Sequence, residues 1–251
     1  MKLRFLFMLA LLFGTLSYAQ SADELFSKAN DFYKNGQYSK AIQWYSKIEK
    51  KGVESDDLFF NMGNSYYKLN KVAPSIYYYE KALKLNPINQ DASNNLAFAK
   101  RMTIDVIEEL PKSFLQRFSS TIIQKLTYDT WAIFAVIASF FSAVLFFLYY
   151  FSSSSKRKIL YFNSSIFIVF LMGIMVFFAF SNYKTTQKNR SAIIFAQESD
   201  IKNSPSFDGE GIFELHEGTK VYILDELSNW KKIKLADGKI GWIKASDLKE
   251  I

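Results

Sequence analysis

The chain has 251 residues, of which 49% are hydrophobic and 18% aromatic, with only 4 prolines and 10 glycines. So many apolar residues with so few helix breakers predict long helices, some of them in lipid. The sequence has no cysteine and one histidine, His216, which excludes disulfides, thiolate metal sites and histidine clusters. The net charge of +7 includes +6 over residues 131–190, beside apolar runs, and this placement indicates a membrane rather than a nucleic acid.

Residues 1–19 have the features of a secretory signal peptide. Lys2 and Arg4 precede an apolar run from Phe5 to Leu16, and the segment ends in the small-x-small site Ser17-Tyr18-Ala19. The run of 12 residues is too short for a membrane span, which needs about 20. The pattern predicts cleavage after Ala19 and export of the mature chain.

An internal repeat with an offset of 34 residues marks residues 20–105 as one helical module. Small and aromatic residues recur in register: Ala29 with Gly63, Phe32 with Tyr66, Ala41 with Ser75, and Tyr45 with Tyr79. With Pro87 closing the second copy, the pattern resembles the tetratricopeptide repeat. The resemblance implies two helix pairs, at about 22–55 and 56–89, followed by a capping helix.

The same resemblance implies a concave groove that holds an extended peptide. Asparagine amides would hold the peptide backbone, and lysine or arginine would meet its charge. The sequence leaves open whether the groove takes a carboxylate terminus or another protein segment. The predicted lining residues are Phe26, Asn30, Tyr33, Lys34, Phe60, Asn64, Tyr67, Lys68, Asn94, Phe98 and Arg101.

Two charge-free runs, residues 131–151 and 159–180, are long enough to be transmembrane helices. The pattern predicts a cytoplasmic loop over residues 152–158, an amphipathic connector at the membrane interface over residues 106–130, and a linker over residues 181–190. Because the signal peptide exports the chain and two spans return it to the same side, both soluble modules are expected in the periplasm.

Small residues recur every four positions on the first span, at Ala135, Ser139 and Ala143. Apolar helices in lipid associate closely on such faces. The pattern predicts that this face meets either the second span or a span of a partner.

Residues 191–251 change to alternating apolar and polar residues with an Asp237-Gly238 turn, which predicts strands. The stretch 214–221, together with Trp230 and Gly241-Trp242-Ile243, resembles the bacterial Src-homology-3-like domain. That resemblance implies a small all-β barrel. Trp230 and Trp242 are candidates for its ligand surface, with core packing as the alternative. His216 is predicted to be an exposed residue in a polar turn.

No pattern in the sequence indicates catalysis, a metal site or a cofactor, so a non-enzymatic protein is expected. The predicted fold class is therefore multi-domain, with an all-α repeat module, a two-helix transmembrane hairpin and a small all-β barrel.

This order of segments resembles the E member of the Bat (aerotolerance operon) family of Bacteroidetes. The resemblance implies an inner-membrane adaptor for protein partners such as von Willebrand factor A-type Bat membrane proteins. The alternative is a cell-wall protein that binds peptidoglycan through the barrel.

Overall fold

A computed structural model describes residues 22–251, so the predicted signal peptide lies outside the described residues. The described chain divides into two compact units. Unit 1 holds residues 22–85, 89–108 and 191–251, and unit 2 holds residues 86–88 and 109–190. Unit 1 therefore combines the helical repeats with the C-terminal strands, which the sequence pattern presents as separate modules.

Five helices form the repeat part of unit 1 within the described residues, and they confirm the predicted helical repeats. The side chain of Ser55 accepts the Leu58 amide at the start of α3, and that of Asn89 accepts the Ala92 amide at the start of α5. The helices are α1 over residues 22–34, α2 over Tyr38–Glu49, α3 over Asp56–Lys68, α4 over Val72–Leu85 and α5 over Gln90–Lys100.

The small and aromatic residues of the repeat pattern form the helical core. Ala29, Ala41, Tyr45 and Tyr79 have no exposed surface. A Cβ atom on Gly63 would lie 2.6 Å from ring atoms of Tyr79, so glycine is the residue that lets α3 approach α4 this closely. The 34-residue spacing therefore reflects the close contact of each helix pair.

The C-terminal part of unit 1 is one antiparallel sheet of seven strands in the order β3-β2-β6-β5-β4-β1-β7. Among the described residues the sheet is open, with β3 and β7 at its edges. The antiparallel strands are confirmed, and the predicted closed barrel is not. The strands are β1 over Ser191–Ile194, β2 over Glu198–Lys202, β3 over Gly211–His216, β4 over Lys220–Leu227, β5 over Trp230–Lys234, β6 over Ile240–Lys244 and β7 over Leu248–Glu250.

Strand β1 joins the helical core to the sheet core. Its central residue Ile193 packs with the buried residues of the helices, while Ala192 and Ile194 pack with those of the sheet. All three are fully buried. A strand covered on both faces is apolar without alternation, as the Ala-Ile-Ile run is.

Unit 2 contains helix α6 over Phe114–Thr121, a short 3₁₀ helix over Ile123–Lys125, and two long apolar helices, α7 over Tyr128–Phe151 and α8 over Ser155–Lys188. By length and composition α7 and α8 are able to cross a membrane.

Their bounds differ from the predicted spans. The predicted loop 152–158 is shorter, because Ser154 is the N-cap of α8 and the three cations after it are helical. The predicted linker 181–190 is helical up to Lys188, since it has no glycine or proline to end the helix.

Helices α7 and α8 pack against each other through a pair of serines. The Oγ atoms of Ser142 and Ser165 lie 2.9 Å apart, and both residues are buried. Of the predicted small-residue face, Ala135 is buried, whereas Ser139 and Ala143 are exposed and line a groove of about 500 Å³ beside the serine pair. Ser142 rather than Ser139 therefore lies at the contact between the two helices.

Candidate peptide-binding groove

The amide of Asn30, a predicted groove residue on α1, holds together three helices. Its Oδ1 accepts a hydrogen bond from the Tyr45 hydroxyl of α2 at 2.5 Å and one from Asn61 Nδ2 of α3 at 3.3 Å. Tyr45 is fully buried, and burial raises its pKa above the ordinary value, so the hydroxyl stays protonated as a donor.

The same arrangement recurs one repeat later at Asn64 of α3. Its Oδ1 accepts from the Tyr79 hydroxyl of α4 at 2.7 Å and from Asn95 Nδ2 of α5 at 2.8 Å. The tyrosine lies 15 residues after the central asparagine and the second asparagine 31 after it, in both copies. These contacts place the first helices of successive repeats side by side.

Each central amide is thereby fixed in orientation. Since Oδ1 of Asn30 and of Asn64 receives two donors, the Nδ2 group of each must point elsewhere. Among the residues that the structure describes, neither Nδ2 group donates to a protein acceptor. The two amides are oriented donors of the kind that an extended peptide's carbonyl groups require.

Aromatic rings of the predicted groove pack beside these amides. The Phe26 ring lies 5.7 Å from that of Tyr45, and the Phe60 ring lies 6.2 Å from that of Tyr79. Tyr33 meets Tyr38 edge to face at 5.3 Å. Phe26, Phe60, Tyr33 and Tyr67 are partly buried against the helical core, so part of each ring remains available to a ligand.

The remaining predicted groove residues are exposed: Lys34, Lys68, Asn94, Phe98 and Arg101. Phe98 keeps 51% of its surface exposed, and the Arg101 guanidinium lies 5.2 Å from the centre of its ring. Among the described residues, none of these three cations forms an ion pair. An exposed aromatic side chain and unpaired cations suit an apolar, acidic or carboxylate-ended ligand.

Comparison with known proteins assigns this region. Residues 57–89 match the tetratricopeptide repeat family. That segment contains α3 from its second residue and the whole of α4, with Asn64 and Tyr79. A search of curated proteins found no match to the chain.

Two solved structures with tetratricopeptide repeats resemble parts of the chain. The first repeat domain of Spaghetti (RPAP3), bound to an HSP90 peptide, is 28% identical, with a TM-score of 0.32 over 33% of this chain and 66% of that one. YrrB, described as having an unusual peptide-binding site, is 15% identical, with a TM-score of 0.31 over 66% of this chain and 76% of that one. The chain thus spans just under two thirds of the first of these structures.

A buried carboxylate on α4 joins the tetratricopeptide repeats to the C-terminal sheet. Glu80 is 9% exposed, and its two oxygens meet Lys220 Nζ of β4 at 2.6 Å and Lys100 Nζ of α5 at 3.2 Å. Burial by itself raises the pKa of Glu80, but the two ammonium groups lower it, and the net pKa is below the ordinary value. The sequence patterns do not single out this residue, although a charge within the apolar run of α4 is a signal.

A second polar contact joins the segment after α5 to the sheet. The Asp105 carboxylate accepts the His216 backbone amide at 2.7 Å and the Thr219 hydroxyl at 2.6 Å, and its other oxygen lies 2.8 Å from His216 Nδ1. The His216 side chain is 25% exposed. The prediction of an exposed surface histidine is wrong, because the turn that carries it packs against residues 103–107.

The two tryptophans proposed as a ligand surface of the sheet differ in exposure. Trp230 is 5% exposed and lies beneath Phe207, with ring centres 5.5 Å apart. Trp242 is half-buried, with Lys232 Nζ 5.9 Å from its ring centre. In this arrangement Trp242 has the more accessible ring.

We expect His216 to titrate above its ordinary pKa of 6.5, because the hydrogen bond with Asp105 favours the protonated ring. A raised folded-state pKa means that this contact stabilises the fold fully below pH 6.5 and loses its effect as pH rises through the folded value. As the chain has one histidine, a ¹H–¹³C NMR titration of the ring assigns the value directly. Asp105→Asn should lower it, and an unchanged value would show that the two side chains do not interact in solution.

Proposed function

We propose that this chain is a membrane-anchored, non-enzymatic adaptor that binds a protein segment in its tetratricopeptide groove. The observation that carries the proposal is the repeated amide arrangement. Asn30 and Asn64 are held by the fold through their oxygens, and their nitrogens are left to donate. A fold that orients two donors at one-repeat spacing, with Phe98 and Arg101 exposed at the end of α5, suits recognition of an extended backbone.

The membrane anchor is the second element of the proposal. The apolar side chains of α7 and α8 are exposed around most of each helix. In the most apolar 18-residue stretch, 17% of α7 and 6% of α8 are buried. A helix that is apolar on all sides needs lipid or protein around it. We assign both helices to a two-span hairpin in the inner membrane, with the tetratricopeptide repeats and the sheet in the periplasm.

The finer assignment is a Bat aerotolerance adaptor of the E type, with an Src-homology-3-like domain as its C-terminal sheet. It rests on the order of segments: a candidate signal peptide, tetratricopeptide repeats, two apolar helices, and antiparallel strands. The proposed partners are then von Willebrand factor A-type Bat membrane proteins. Their acidic or apolar segments would meet the cations Lys34, Lys68 and Arg101.

A charge reversal in the groove tests the proposal. The variant Lys68→Glu with Arg101→Glu, in the full chain, should reduce co-purification of the partner by at least about tenfold, since a charge-assisted contact contributes about 1.5–3 kcal/mol. The matched control is Lys50→Glu with Lys71→Glu, which changes the same number of exposed lysine or arginine charges outside the predicted groove. Equal losses from both variants, or no loss from the first, would contradict groove binding.

The alternative is peptidoglycan binding through the C-terminal sheet, for which the half-exposed ring of Trp242 is the supporting observation. Deletion of residues 191–251 would be a poor test of this alternative, because that segment packs on α4 and its loss would also affect the repeats. Trp242→Ala in the full chain is better, since it removes one accessible ring. Loss of sacculus binding by this variant, together with partner-independent binding by the wild type, would favour the alternative.

A further inference from the structure

One face of the C-terminal sheet has an acidic side and a basic side. Side chains alternate between the two faces of a strand, so the residues opposite the buried Ile201, Ile233 and Ile243 form the outer face. On β2 and β3 the outer residues include Glu198, Asp200 and Glu214; on β5 and β6 they include Lys232, Lys234 and Lys244.

The pairing register places the two groups on either side of Trp242. Asp200 pairs with Glu214, and Lys202 pairs with Trp242 of β6. Trp242 in turn pairs with Lys232 of β5. The sheet order β3-β2-β6-β5 therefore runs from acidic to basic with the half-exposed Trp242 between them.

Each side also carries charge of the opposite sign. On the acidic side the opposing groups are His216, which pairs with Glu198, and Lys202. The Lys202 ammonium group lies 3.7 Å from Asp200 and bonds to two carbonyl oxygens of the 203–210 loop. On the basic side Asp225 of β4, which pairs with Lys232, is the opposing acid. In the described chain no carboxylate lies within ion-pair distance of Lys232, Lys234 or Lys244.

Exposed apolar side chains accompany Trp242 on this face. Ile240 of β6 is 45% exposed, and Phe207, at the tip of the 203–210 loop, is 73% exposed. The Lys202 ammonium group holds that loop by donating hydrogen bonds to the carbonyl oxygens of Phe207 and Gly209. The middle of the face thus offers apolar area between two charged sides.

We propose that this outer face binds a second copy of the chain about a two-fold axis close to Trp242. A two-fold axis brings the same patch of each copy together, so the patch must be complementary to itself. The axis has to run parallel to the strands, because only then does rotation place the acidic strands β2 and β3 of one copy against the basic strand β5 of the other, twice. A partner of one charge sign would face like charge on half of this surface, which is why a second copy fits it better.

The test is charge reversal followed by mixing, in the full chain in detergent. The acidic variant carries Lys232→Glu and Lys234→Glu, and the basic variant carries Asp200→Lys and Glu214→Lys. We expect sedimentation to show a dimer for the wild type and at least about tenfold weaker self-association for each variant alone, because like charges then oppose one another. Mixing the two variants should restore a dimer that contains one copy of each.

Two controls make the result decisive. The chain has no cysteine, so Ile240→Cys gives one cross-linking site near the axis, and Ser39→Cys gives an exposed site on α2, outside the sheet. In membranes the first should cross-link to its own copy and the second should not. Far-ultraviolet circular dichroism reports whether each variant keeps its fold.

A monomeric wild type, or a dimer that survives both reversals, would overturn the inference. So would a mixture of the two variants that fails to form the heterodimer while both remain folded. None of these results depends on the tetratricopeptide groove, so failure here leaves the proposed adaptor function to be judged by its own test.

Discussion

Replacing Glu80 with alanine should lower the free energy of unfolding of unit 1 by about 3 kcal/mol, near the low end for breaking a buried ion pair. Glu80 is 9% exposed and is the common partner of Lys220 and Lys100. Its removal takes away the carboxylate that both ammonium groups contact, at the contact between α4 and β4. Hydrogen–deuterium exchange of α4 and β1 in the full chain should rise together.

The control for this prediction is Lys100→Met. The Lys100 side chain is 49% exposed, so its contact with Glu80 is screened by water and should contribute less than about 1 kcal/mol. If both variants raised hydrogen–deuterium exchange in α4 equally, a buried contact centred on Glu80 would be contradicted.

The pH dependence of Glu80 has a definite sign. Its folded-state pKa is lower than the ordinary value of 4.5, because the attraction of Lys220 and Lys100 outweighs burial. The contact therefore stabilises the fold above that value and is lost as pH falls through the folded pKa. The Glu80→Ala variant should show a weaker loss of stability in acid than the wild type.

Asn64→Ala should destabilise the tetratricopeptide repeats by about 2–3 kcal/mol, since it removes the acceptor of two hydrogen bonds at once. The Tyr79 hydroxyl, on a fully buried side chain, and the Asn95 amide would both lose their partner. Asn30→Ala should cost a similar amount because Tyr45 and Asn61 occupy the equivalent positions. Urea unfolding of the full chain in detergent, monitored by hydrogen–deuterium exchange of α3, measures the loss of stability in both variants.

The matched control lies one turn further along α3. Lys68 is exposed, so Lys68→Ala should change stability by less than about 0.5 kcal/mol. A double-mutant cycle of Asn64→Ala with Tyr79→Phe should show a clear coupling energy. Additive effects would mean that the amide and the hydroxyl do not interact.

The structural role of Asn64 changes how the groove has to be tested. The sequence presents Asn64 as a ligand-binding amide, and the structure shows that its oxygen also holds α4 and α5 in place. Loss of partner binding by Asn64→Ala alone would therefore not separate folding from recognition. Exposed residues such as Lys68 and Arg101 serve that purpose.

The parts of the fold that follow local rules could be predicted from the sequence. The 34-residue recurrence, with Gly63 at its small-residue position, and the apolar lengths of α7 and α8 depend on helix spacing and hydrophobicity, which a single sequence displays. The Asn61 and Asn95 partners were also within reach, since they recur at the same offset as Asn30 and Asn64. Their importance was missed because asparagine is common on helix surfaces.

The contacts between the repeats and the sheet could not be predicted in this way. Glu80 and Lys220 are 140 residues apart, and Asp105 and His216 are 111 apart. No local periodicity specifies which turn of the sheet will meet which helix. The same reason explains the open sheet edge at β3, because barrel closure depends on pairing between distant strands.

Site-specific photo-crosslinking in living cells tests the central claim most directly. A benzoylphenylalanine at position 98, where Phe98 is 51% exposed beside Arg101, should cross-link the full chain to its protein partner. The matched probe at position 207, where Phe207 is 73% exposed in the 203–210 loop between β2 and β3, should give no cross-link to that partner. Partner cross-links from position 207 and none from position 98 would contradict an adaptor that works through its tetratricopeptide groove.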